Sequence, residues 1–307
     1  MEGISNMKPE KKNVALVLSS GGAKGYAHIG VIKALQEEGY NITSVAGTSM
    51  GAMIGGLYAA GKLDEAYAWL KTIDNWNIFK LADLKNFSID GIINGEYIFN
   101  ELHKMVGDVM IEDLPIPFCA VAAELDSGKE KVFTKGKLLD AIRASISMPV
   151  FFNPYKIGRK RYVDGGVVNG MPTNRVKRTK DDIVVAINLD TYGISQKKEK
   201  AEKPSIFDPT RFDYLNKVVD AVVPDKITTT LSNIRKHFDG DSMITILLNS
   251  YYIALKQNKL LMQELSKPDI YLNIDLKGYT TNDFNDAETI ARLGYEQMKA
   301  KLASELS

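Results

Sequence analysis

The apolar positions of the chain fall into short unbroken runs and longer periodic stretches, and these alternate from the start. Asn13-Val14-Ala15-Leu16-Val17-Leu18 is almost entirely apolar, as in a strand covered on both faces. A turn of small residues follows, Ser19 to Gly25. Tyr26–Gly39 then carries Ile29, Ile32 and Leu35 at helical spacing, with Gly39 placed to end the helix. Ile42–Ala46 reads as a second buried strand, and Ala52–Ala60 as a closely packed helix of small and apolar residues. Two strand–helix units in direct succession predict a parallel α/β sheet.

Residues 62–115 are mixed and helical in places. Pro117–Leu125 returns to strand character, Asp126-Ser127-Gly128 marks a turn, and Lys129–Thr134 suits a hairpin partner. Lys137–Ser147 reads as a helix closed by Met148-Pro149. Tyr155–Val163 reads as two short strands about Gly158, and Asp182–Leu189 as another buried strand. The charged stretch Gln196–Lys203 reads as a solvated loop. Thr210–Val223 and Ser242–Leu265 have amphipathic helical patterns, Asp269–Ile274 reads as a late strand and Asp286–Glu305 as a final helix. The late strand predicts that the C-terminal third rejoins the same sheet. The expected organisation is a flexible arm over 1–12 and a single domain over 13–307. Within it, 13–190 carries the chemical motifs and 191–307 adds helices and the late strand.

With 307 residues the chain can bury a large core. Its formal net charge is +1, so no bulk attraction to nucleic acid or to an anionic membrane is expected. The single cysteine, Cys119, excludes an intrachain disulfide framework, and its apolar surroundings predict a buried structural thiol. Three histidines and one cysteine are a poor ligand supply for zinc, and no metal or other cofactor is expected. Residues 1–12 lack the apolar core of a secretory signal. No apolar run approaches the roughly 20 residues that span a bilayer. A cytoplasmic location follows as the expectation, with any membrane contact peripheral.

Gly47-Thr48-Ser49-Met50-Gly51 fits the G-x-S-x-G pattern between a strand and a helix, the context of a nucleophile elbow. The sharp turn lifts the Ser49 hydroxyl clear, and glycines flank it because side chains there would strike the neighbouring strand and helix. Upstream, Ser20-Gly21-Gly22-Ala23-Lys24-Gly25 lies between a strand and a helix. Backbone N–H groups at a helix start lack intrahelical acceptors and sit at the positive end of the dipole. Small residues let a substrate oxygen reach them, as an oxyanion hole requires. A nucleotide phosphate loop is the competing reading. It is disfavoured because Ser20 stands where G-x-G-x-x-G needs glycine and Gly25 follows Lys24 where G-K-[ST] needs a hydroxyl. Asp164-Gly165-Gly166 ends a short strand; such a triplet is often a plain turn, and its glycines also allow close passage by another segment. A Ser-His-Asp hydrolase needs a late histidine, and only His237 qualifies by position, among charges. His28 and His103 sit within helical stretches and read as structural.

These blocks together resemble the bacterial patatin-like phospholipases. The matching segments are Gly21-Gly22-Ala23-Lys24-Gly25, the elbow Gly47–Gly51, Arg143-Ala144-Ser145-Ile146-Ser147-Met148-Pro149, and Asp164-Gly165-Gly166. The resemblance implies a three-layer α/β/α sandwich with a mainly parallel sheet. It implies a dyad, with Ser49 as nucleophile and Asp164 as general base. It also implies an oxyanion hole of backbone N–H groups near Gly21, Gly22 and Ala23, with Lys24 beside it. Gly25, Gly47, Gly51, Gly165 and Gly166 are the motif glycines. Ser20 departs from the family's usual first glycine. The implied substrates are phospholipid or lysophospholipid acyl esters, and aromatic residues in 62–115 and 205–265, such as Trp69, Trp76, Phe207 and Tyr251, could line an acyl channel, form a membrane-facing lid or fill the core. A carboxylesterase with a Ser-His-Asp triad through His237, and a non-catalytic lipid-binding protein, are the alternatives.

Overall fold

The structure is a computed structural model that describes residues 12–72, 96–149, 151–189, 243–281 and 283–305. Its strands are β1 (Asn13–Leu18), β2 (Asn41–Thr48), β3 (Phe118–Glu124), β4 (Glu130–Phe133), β5 (Tyr155–Ile157), β6 (Lys160–Asp164), β7 (Asp182–Asn188) and β8 (Ile270–Asn273). Its helices are α1 (Ala27–Glu37), α2 (Met50–Ala59), α3 (Leu63–Leu70), α4 (Glu96–Val106), α5 (Leu138–Ser145), α6 (Gly166–Asn169), α7 (Met243–Ser266) and α8 (Ala287–Glu305). The described residues form two compact units, one up to Thr191 together with Ala254–Ser307, the other within Tyr192–Ile253. In the second unit the rings of Tyr251 and Tyr252, on the first part of α7, meet edge to face at 5.8 Å. The N-terminal arm, the loop at 196–203 and the helix expected over 210–223 lie outside the described residues.

The sheet follows the hydrogen-bonded path β5-β6-β3-β2-β1-β7-β8, with β4 paired to β3. Its centre is parallel: β1 pairs with β2 and β7, β2 with β3, and β7 with β8. The unbroken apolar run of β1 is explained by cover on both faces, since Val14–Leu18 are all fully buried. Val14, Leu16 and Leu18 enter the large core with Val185 and Ile187. Ala15 and Val17 point the other way, against Val184, Ala186 and Met171. The late strand β8 does rejoin the sheet beside β7. The result is a three-layer α/β arrangement with a parallel centre and an antiparallel margin of β4, β5 and β6.

Local signals account for most boundaries. Gly39 has φ 78° and its N–H bonds the Gln36 carbonyl, which ends α1 as a left-handed glycine should. Helix α5 stops at Ser145, two residues short of the expected Ser147. The reason is long-range: the Ser147 carbonyl accepts from the Asp164 N–H at 2.9 Å, and the Ser145 carbonyl from the Gly165 N–H at 3.3 Å. Helices α1 and α8 pack backbone to backbone. A Cβ on Gly30 would lie 1.8 Å from the Ala291 carbonyl oxygen, and one on Gly294 would lie 2.1 Å from that of Ala27. No helix among the described residues is long and apolar enough to cross a membrane.

Candidate active site

Ser49 sits between the end of β2 and the start of α2 with φ 56° and ψ −124°, a backbone conformation that costs a non-glycine residue on the order of 1–3 kcal/mol. Its surroundings hold it there. A Cβ on Gly47 would lie 2.3 Å from the Gly51 carbonyl oxygen, and one on Gly51 would lie 2.2 Å from that of Leu18. Both elbow glycines are therefore required by close backbone approach. The Ser49 N–H donates to Ser145 Oγ at 2.8 Å, and that hydroxyl donates to the Val121 carbonyl at 2.6 Å. Thr48 Oγ1 donates to the Asn169 carbonyl at 2.8 Å. Ser49 remains partly exposed while Thr48 and Met50 are buried.

The sheet brings Asp164 to this serine. Strand β4 pairs with Ala120–Ala123 along one edge of β3. The other edge is shared: β2 pairs there up to Thr48 opposite Val121, and β6 pairs from Asp164 opposite Ala122. The end of β6 thus meets the end of β2 on one edge. Ser49 Oγ donates to Asp164 Oδ2 at 2.5 Å across 115 positions of sequence. The second carboxylate oxygen, Oδ1, accepts the Gly166 N–H at 2.8 Å. Gly165 passes so close to β3 that a Cβ would lie 2.1 Å from the Val121 carbonyl oxygen. Asp164 is 2% exposed. Burial pushes its carboxyl up to about 6, against the pull of the Ser49 hydroxyl, the Gly166 N–H and the Lys259 ammonium toward the ionised form.

The Gly-rich turn forms a 3-10 turn over Gly22–Tyr26 against the elbow. A Cβ on Gly25 would lie 1.9 Å from Met50 Cγ. Gly22 has φ 56°, and a Cβ there would lie 2.5 Å from the Thr281 carbonyl oxygen. The Ala23 N–H, expected among the oxyanion donors, donates to that Thr281 carbonyl at 2.8 Å. Ala23 is buried, whereas Gly21, Gly22 and Lys24 are partly exposed. The turn is tied down at its first residues. His28 Nε2 lies 2.9 Å from the Ser19 carbonyl, and burial lowers the His28 pKa to about 4, so the ring is neutral and donates. Ser20 donates its N–H to the Gly170 carbonyl at 2.9 Å and accepts from Lys259 Nζ at 2.7 Å.

Two side chains were not singled out by sequence reasoning. Ser145 lay within a quoted motif but carried no role. Lys259 had one legible signal: it occupies an inward position of an amphipathic helix, between Leu255 and Met262. His28 fits its structural reading, His103 is exposed, Trp69 packs on the core, and Cys119 is buried with its thiol pushed up to about 12. His237, Trp76 and Phe207 lie outside the described residues.

The family model for patatin-like phospholipase matches residues 16–176, more than half of the chain. The chain belongs to the patatin-like phospholipase family. The match runs from β1 through the Gly-rich turn, the elbow and Asp164. An uncharacterized NTE family protein of Mycobacterium tuberculosis (strain H37Rv) is 45% identical over 177 residues, covering 58% of this chain and 49% of that protein. Neuropathy target esterase sws of Drosophila melanogaster is 31% identical over 184 residues, covering 58% of this chain and 13% of that protein. The chain thus spans about half or less of the length of these curated relatives. Among solved structures, VipD from Legionella pneumophila superposes with a TM-score of 0.54 at 16% identity, covering 96% of this chain and 67% of that one, a likeness of fold. This patatin-like chain carries its elbow serine and its Asp-Gly-Gly aspartate within the matched region.

Proposed function

We propose that the protein hydrolyses acyl esters of lipids, of the phospholipid or lysophospholipid class, through Ser49 and Asp164. The observation that carries this reading is the 2.5 Å hydrogen bond from Ser49 Oγ to the buried Asp164 carboxylate. Family membership and a relative named as an esterase support the ester substrate.

In the proposed reaction, Ser49 Oγ attacks the acyl carbonyl carbon and its proton passes to Asp164. A carboxylate is a weak base for a serine hydroxyl, so raising its pKa toward 6 improves the match while leaving it ionised at neutral pH. Negative charge grows on the carbonyl oxygen. The N–H groups of Gly21 and Gly22 and that of Met50, first residue of α2, are the proposed donors to it. The ester C–O bond breaks and the leaving alcohol takes the proton from Asp164. Water then attacks the acyl-enzyme, Asp164 accepts its proton, and Ser49 is reprotonated as the fatty acid leaves. Labelling with a fluorophosphonate probe followed by lipid profiling tests this reading. It requires label on Ser49, no label in Ser49→Ala, and no ester hydrolysis in Asp164→Asn; full activity in Asp164→Asn rules it out.

A further inference from the structure

Helix α7 meets both halves of the site through consecutive polar residues. Asn258 Nδ2 donates to the Val168 carbonyl at 2.6 Å, and Asn258 Oδ1 accepts the Gly170 N–H at 3.3 Å. Lys259 Nζ donates to the Ser20 carbonyl at 2.7 Å. Ser20 in turn bonds Gly170, so α7, the Gly-rich turn and the loop after Asp164 close a ring of hydrogen bonds. The packing is tight: a Cβ on Gly170 would lie 2.9 Å from Lys259 Cγ, and one on Gly166 would lie 2.4 Å from Leu255 Cδ2.

Lys259 is 4% exposed on the inward face of its helix. A buried ammonium is costly to desolvate unless opposite charge or strong acceptors surround it. Lys259 places its ammonium on the Ser20 carbonyl, and its positive charge acts on both Asp164 and His28. We propose that Lys259 is a positioning residue for the Ser49–Asp164 pair: it clamps the Gly-rich turn by the Ser20 carbonyl and supplies the positive charge that keeps the Asp164 carboxylate ready to take a proton. The inference rests on the ester-hydrolase reading above and adds a residue beyond the span matched by the family model.

The groups around Asp164 bear this out. From α7 comes the Lys259 cation, which favours the ionised carboxylate. From α1 comes His28, behind Ser19, buried and neutral, with Lys259 helping to keep it so. From β3 come Val121 and Ala122, both uncharged, and from α5 come Ser145 and the buried Arg143, whose guanidinium donates to Ser147 Oγ at 2.9 Å. From α6 comes the Gly166 N–H. Lys259 is the cation on α7 that favours the ionised Asp164 carboxylate.

The experiment is the pH dependence of kcat and KM for a p-nitrophenyl acyl ester in the wild type, Lys259→Met, Lys259→Gln and Lys259→Arg. Lys259→Met is expected to lose about tenfold in kcat at neutral pH with little change in KM, and to move the acidic limb upward by about one pH unit. Lys259→Gln keeps a donor for the Ser20 carbonyl without the charge, so it shifts the limb in the same way and serves if Lys259→Met does not fold. Lys259→Arg keeps the charge and leaves the limb in its wild-type position. A merely structural lysine lowers the melting temperature and leaves the limb in place in all three; that outcome overturns the inference. If Asp164→Asn keeps full activity, the underlying hydrolase reading fails. If Asp164→Asn is inactive and the limb does not move in Lys259→Met or Lys259→Gln, only the role of Lys259 fails.

Discussion

Ser145 holds Ser49 by its backbone: the Ser49 N–H reaches Ser145 Oγ at 2.8 Å, and the same hydroxyl reaches the Val121 carbonyl at 2.6 Å. A strained residue is thereby anchored to β3 through one side chain. Removing that hydroxyl leaves a buried N–H and a buried C=O without this partner, a loss of about 1–3 kcal/mol. Ser145→Ala is expected to lower the thermal midpoint and slow fluorophosphonate labelling of Ser49 by about tenfold. Unchanged labelling in the folded variant would show that the elbow holds its geometry without this bridge.

The pH dependence follows from Asp164. Its carboxyl is pushed up to about 6, chiefly by burial. The proposed base must be ionised, so ester hydrolysis should rise with pH through an acidic limb near 6 and level off above it. Initial rates on a soluble ester across pH, with controls for unfolding, measure that limb. A limb near the ordinary carboxylate range would mean that Asp164 is not the titrating group.

The same carboxyl should cost the folded protein stability. Its folded-state pKa lies above the ordinary 3.8, so folding favours the neutral acid. The favourable contribution is fully present below 3.8 and is lost as pH rises through about 6. At neutral pH the ionised, buried group costs on the order of 2–3 kcal/mol. Asp164→Asn keeps an acceptor for the Gly166 N–H and carries no charge. It should melt higher than the wild type at neutral pH, lose that advantage near pH 4, and be inactive. Differential scanning calorimetry at both pH values reads the difference; an equal advantage at both would assign it to something other than ionisation.

The α1–α8 contact offers a control remote from the chemistry. A Cβ at Gly294 would fall 2.1 Å from the Ala27 carbonyl oxygen, a clash that only separation of the helices relieves. Gly294→Ala should destabilise by about 1–3 kcal/mol, as overpacked cores do. Well below its melting temperature it should label at Ser49 at close to the wild-type rate. Chemical denaturation and labelling, measured together, test both halves.

What the sequence revealed was mostly local. The run Val14–Leu18, the stop at Gly39, the turns at Gly128 and Gly158 and the elbow glycines all act within a few residues, and each element lies close to where its pattern puts it. Relationships that cross the fold were harder to read. Nothing near Ser145 says that its carbonyl will accept from Gly165, which is why α5 ends early. Nothing near Ala23 says that its N–H will be taken by Thr281, more than two hundred and fifty residues on. Lys259 was visible only as a charge on an apolar helix face, a pattern that does not name the carbonyl it will meet.

The junction on β3 has an evolutionary consequence. Strands β2 and β6 end against neighbouring residues of the same edge, Val121 and Ala122, so the separation of Ser49 from Asp164 is ruled by one strand's peptide spacing. A change elsewhere, such as Lys259→Met, alters the charge and the clamp around the pair and leaves that ruler intact. A lineage is therefore free to retailor whatever surrounds the substrate, segment by segment, without renegotiating the distance between hydroxyl and carboxylate.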